Sequence, residues 1–80
     1  MAIEALRFLS EQPNRLIRFM QLSGVEPAEL VAKATQPGLQ AAILAHLMSD
    51  ESLLLVFTSE TGLAPERIAP AQALLAQANG

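Results

Sequence analysis

Apolar side chains recur at three- and four-residue spacing through most of this chain, in short runs cut by proline or glycine. That is the period of helices that each bury one stripe. Ala2 to Glu11 sets Ala2, Ala5, Leu6 and Leu9 on one face, with Ile3 and Phe8 flanking it. Gln12-Pro13 ends this helix, because a residue before proline is pushed out of the helical region. Pro13 in turn suits the first position of a second helix. That helix carries Leu16, Phe19, Met20 and Ser23 on one face, with Arg15 and Arg18 beside it. Gly24 closes it at a predicted positive φ, and Val25 folds back on Met20 or Phe19. Pro27 opens a third helix, to Thr35, with Leu30, Val31 and Ala34 buried and Glu29 in its first turn.

The most apolar stretch is Leu39 to Phe57. Gln36-Pro37 opens a fourth helix, in which Leu39, Ile43, Leu44, Leu47 and Met48 form a wide stripe. Ser49-Asp50-Glu51 interrupts it: Ser49 is read as an N-cap, with Asp50 and Glu51 in the first turn of a fifth helix, where the dipole favours negative charge. That helix starts with Leu53 to Phe57, apolar all round, so it needs other helices or another chain around it. A strand is the rival reading of this run; the acidic start and the polar Thr58-Ser59-Glu60-Thr61 tail favour helix. Gly62 closes it, and Pro65 opens a last helix to about Gln77. Pro70 predicts a kink or a break there. The fold expected is all-α, one domain over residues 1–80, a compact bundle of about six short helices.

A shift of 38 residues lays Leu6, Leu9, Leu16, Phe19, Gly24 and Pro27 on Leu44, Leu47, Leu54, Phe57, Gly62 and Pro65. Ile17 meets Leu55, Val25 meets Leu63, and Leu30 meets Ile68. Two copies of a three-helix unit is one explanation; the other is that any bundle with glycine stops and proline starts aligns with itself. Arg15 and Arg18 fall on Leu53 and Val56, so the second helix reads as an outer one. The fifth is either the centre of the bundle or an exposed contact.

Composition narrows the chemistry. Eighty residues, 51% of them apolar, supply a core, although a chain this short buries only about 60% of its unfolded surface. Without cysteine there is no disulfide and no thiolate metal site. One histidine gives too few ligands for zinc, and no carboxylate cluster suits a hard cation. With no Trp or Tyr and three Phe, base-stacking platforms are scarce. A net charge of −3 with scattered cations argues against a phosphate-binding surface. The apolar block is too short to span a membrane. Glu4 inside a short amphipathic pattern does not read as a secretory signal, and the compartment expected is the cytoplasm. No cofactor, nucleic-acid or membrane partner is expected.

Three candidates remain. His46 lies one turn before Asp50, so an imidazole–carboxylate pair with Glu51 nearby is geometrically open. The blander reading is a boundary histidine at a helix end, with His46→Ala leaving fold and phenotype nearly intact. Gly24-Val25-Glu26-Pro27 is spaced like the turn of a helix-turn-helix, yet the following helix offers Glu29 and Lys33 and no arginine, whereas base reading uses Arg, Asn or Gln. Arg7, Arg15 and Arg18 form a basic patch if the first two helices are antiparallel, or else a solvated face. The interaction surface expected is Leu53, Leu55 and Val56, serving a protein partner or a weak homodimer.

The stretches FLSEQPNRLIRFMQLSGVEPAEL, AAILAHLMSDESLLLVF and TGLAPERIAPAQALL together resemble a small alphaproteobacterial family catalogued as domain of unknown function 3572. The resemblance covers most of the chain. Glu26 and Ala64 depart from it, standing where short capping residues are expected before the prolines. It implies a compact helical bacterial protein of unassigned function and supplies no catalytic residues. The function expected is a non-catalytic protein-interaction module; the alternative is a small ligand-binding protein or enzyme using His46, Asp50 and Glu51.

Overall fold

Proline sets where four of the helices begin. The computed structural model describes residues 1–79, with side chains through Ala78. Among them, the elements are α1 (Ala2–Ser10), α2 (Pro13–Ser23), α3 (Pro27–Ala32), α4 (Pro37–Met48), α5 (Glu51–Thr61), a 3-10 turn (Pro65–Arg67) and α6 (Ile68–Asn79), with no strand. Pro13, Pro27, Pro37 and Pro65 each occupy the first turn of their element, where a missing amide costs nothing. The last helix is broken as expected. The turn Pro65–Arg67 ends before Ile68, so Pro70 falls in the first turn of α6, where its lack of N–H is harmless.

Both glycine stops take the left-handed conformation, Gly24 at φ 76° and Gly62 at φ 74°. The Gly24 amide donates to Met20 O and the Gly62 amide to Thr58 O, each at 2.9 Å. A hydroxyl one residue earlier completes each cap: Ser23 Oγ donates to Phe19 O at 2.6 Å and Thr61 Oγ1 to Phe57 O at 2.8 Å. Ser23 and Thr61 are therefore exposed capping residues rather than core ones, and Thr58 is the buried hydroxyl of α5.

All six helices send side chains into one core, which includes Ala5, Phe8, Leu9, Phe19, Leu30, Ile43, Leu44, Leu47, Phe57 and Ile68. Helix α4 is its hub. Leu39, Ala41, Ile43, Leu44, His46 and Leu47 are buried around most of its circumference, and α1, α2, α5 and α6 all pack on it, α6 most extensively. The centre is thus the fourth helix, not the fifth. Alanines at 41, 42 and 45 explain this: they bring neighbouring backbones close but add little to a hydrophobicity count.

Several positions differ from the periodic reading. Phe8 is buried at 2% exposure, while Leu6 is only half-buried. Helix α3 ends at Ala32, and Val31 is 82% exposed, because so short a helix has room for one core anchor, Leu30. Met48 is exposed, as the chain leaves the core there and α5 departs from α4 at 109°.

Candidate functional site

The junction between α4 and α5 carries the sequence's best chemical candidates. Asp50, not Ser49, is the N-cap of α5: its carboxylate accepts from the Leu53 amide at 3.2 Å. Ser49 instead closes α4, donating its hydroxyl to His46 O at 2.7 Å. Glu51 stands exposed in the first turn of α5, beside the dipole's positive end.

His46 turns away from this acidic pair. It lies in the last turn of α4, but its ring is buried, 9% exposed, and meets Phe19 edge to face at 5.2 Å. Nε2 is buried without a hydrogen-bond partner. Burial holds the imidazole pKa below its ordinary value, with the Arg18 charge acting the same way and Asp50 opposing it. No ion pair joins His46 to Asp50 or Glu51 among the described residues. A cleft of about 380 Å³ between α2 and α4 passes His46, lined also by Leu22, Ser23, Ala42, Ala45 and Ser49. Around the cleft stand one imidazole and hydroxyls that already donate to backbone carbonyls, while Asp50 is engaged as a cap. Nor do the described residues hold a group of three His, Cys, Asp or Glu side chains placed for a metal ion.

The arginines have separate places. Arg15 is half-buried, with its guanidinium 4.2 Å from the Phe8 ring centroid, a cation–π contact. Arg7 and Arg18 are exposed. The helix after the Gly24 turn spans six residues, and Lys33 beyond it pairs with Glu29 at 3.8 Å. It presents no arginine to a groove.

The expected interaction surface is partly open. Leu55 is 52% and Val56 41% exposed on α5, while Leu53 is half-buried against the core. The unit comparison explains the difference. Leu53 falls on Arg15, which folds over Phe8. Leu55 and Val56 fall on Ile17 and Arg18, both of which face solvent.

The ring pairs tie the two halves together. Phe8 meets Phe57 at 5.3 Å and 64°, and Phe19 meets His46 at 5.2 Å and 71°. In the 38-residue register Phe8 matches His46 and Phe19 matches Phe57, so each pair is the other's counterpart. This reciprocity follows the 38-residue register. The sequence alone does not show it, because Phe8 and His46 share shape but not chemistry.

Fold and site together define a small all-helical domain centred on α4. It carries an apolar outer face on α5, at Leu55 and Val56. The chain belongs to the family described as protein of unknown function (DUF3572), whose model matches residues 1–78. No curated protein and no solved structure matches it.

Proposed function

We propose that this protein is a non-catalytic interaction module whose docking face is the outward side of α5. The observation that carries this is the exposure of Leu55 and Val56 on a helix whose own core needs are met by Phe57, Thr58 and half-buried Leu54. Burying apolar surface stabilises a complex by about 25 cal/mol per Å², less the entropy lost on association. An enzyme built on His46, Asp50 and Glu51 has less support, since Asp50 is engaged as a cap and His46 faces Phe19. Small-ligand binding in the cleft beside His46 is the second reading, favoured by the unpartnered Nε2.

Immobilised wild-type protein, compared with Leu55→Glu and Val56→Glu, tests the first reading. A partner retained from a lysate of the native cell by wild type and lost by both folded variants is the expected result. Equal retention by all three rules the α5 face out.

A further inference from the structure

We infer that the outward faces of α2 and α5 are the two halves of a head-to-tail contact between copies of this chain. The inference rests on the α5 face proposed above and names what covers it. On α2 the outward stripe is Asn14, Ile17, Arg18 and Gln21, with Leu22 on its flank, all exposed. On α5 the stripe at matching positions is Ser52, Leu55, Val56 and Ser59, with Glu60 on its flank, again all exposed. Each stripe sets apolar side chains among short or uncharged polar ones.

The charges differ in sign. Helix α2 carries Arg15 and Arg18 and no carboxylate; α5 carries Glu51 and Glu60 and no base. Laying α5 on α5 brings Glu51 and Glu60 against their own copies, and α2 on α2 brings arginine to arginine. Only α2 on α5 sets opposite charges around the apolar pairs, and such complementarity selects partner and register. Within one molecule α2 lies chiefly on α1 and α4, and so does α5, while both outward stripes face solvent. The pairing is therefore made between copies.

Made head to tail, with one face used for each neighbour, the contact leaves one of each face free at the ends, so it extends into chains or closes a ring. Four or five side chains a side fall well short of the ~800 Å² per partner of a standard interface. The association is accordingly weak, favoured by high local concentration and weakened by salt.

Sedimentation equilibrium on two blocked variants decides it. Ile17→Glu spoils the α2 face and Leu55→Glu the α5 face; both side chains are about half exposed, so both variants are expected to fold, with circular dichroism as the check. Wild type should associate progressively, with a dissociation constant tighter than about 1 mM that weakens as salt is raised. Each variant alone should be monomeric. An equimolar mixture should form a 1:1 heterodimer through the two intact faces, and nothing larger. As an independent check, Arg18→Glu should weaken association and Arg18→Glu with Glu60→Arg should restore it. Self-association by Ile17→Glu alone, a mixture that stays monomeric, or monomeric wild type at about 1 mM each overturns the head-to-tail contact. In that last case the α5 face still stands or falls by its own retention experiment.

Discussion

Phe8 and His46 stand at matching places in the two halves of the molecule, and their surroundings differ. Phe8 meets Phe57, and Arg15 lies over it. His46 meets Phe19, keeps an unpartnered Nε2, and has a cleft beside it. Among the residues lining that cleft, Leu22, Ala42, Ala45 and Ser49 correspond to Glu60, Glu4, Arg7 and Glu11 in the register of the other half. At these positions the first half has long charged side chains, Glu60 being the match from α5, and the second has small or apolar ones. A shared frame thus carries two different surfaces: buried anchors and stops repeat, while cleft and outward positions diverge.

The largest expected effect tests the shared frame. Phe19→Ala and Phe57→Ala should each cost about 3–5 kcal/mol in urea unfolding, since both rings are fully buried. A loss at one site several times that at the other would break the equivalence of the halves.

The ring pairs come next. His46→Phe rebuilds in the second half the pair seen in the first and removes the orphaned nitrogen. It should raise stability by about 1 kcal/mol. His46→Ala, against the sequence expectation of a neutral change, should cost about 2 kcal/mol, because the ring is core. The pH profile sharpens this. The folded-state pKa of His46 lies below its ordinary value of 6.5, so the folded state binds fewer protons than the unfolded chain once pH falls below that value. Wild-type stability should therefore fall with pH from about 6.5 downward. In His46→Phe that part of the slope should vanish; an unchanged slope would assign the effect elsewhere.

Smaller effects separate matched stops from unmatched caps. Gly24→Ala and Gly62→Ala should each cost about 1 kcal/mol. A new Cβ meets nothing within 4 Å at either site, so the left-handed backbone alone sets the cost, and the two values should agree. The N-caps should not agree. Asp50→Ala should cost about 1 kcal/mol. Gln12→Ala, at a cap without a side-chain hydrogen bond, should cost almost nothing.

These comparisons also show what was legible in the sequence. Stops and starts were readable because glycine and proline act locally on backbone torsions, and Gly24, Gly62 and the four helix-opening prolines behave accordingly. The hub was harder to read. Leu53 to Phe57 counts as more apolar than the alanine-rich Leu39 to Met48, yet small residues let helices close around α4 and left Leu55 and Val56 outside. Phe8 and Val31 depart from the periodic pattern for a similar reason: periodicity gives a face, but helix length and neighbours decide whether that face meets anything. The burial of His46 depended on Phe19, 27 residues away in sequence, and no local pattern encodes that.

Helix α4 is the hub, and the outer side of α5 stays open. Methyl relaxation by a soluble paramagnetic agent, measured on dilute monomeric protein, reads this directly. The Leu55 and Val56 methyls should relax as strongly as those of Ile17, while Ile43, Leu44 and Leu47 stay protected. Leu55 and Val56 methyls as protected as those of Leu47 would contradict it.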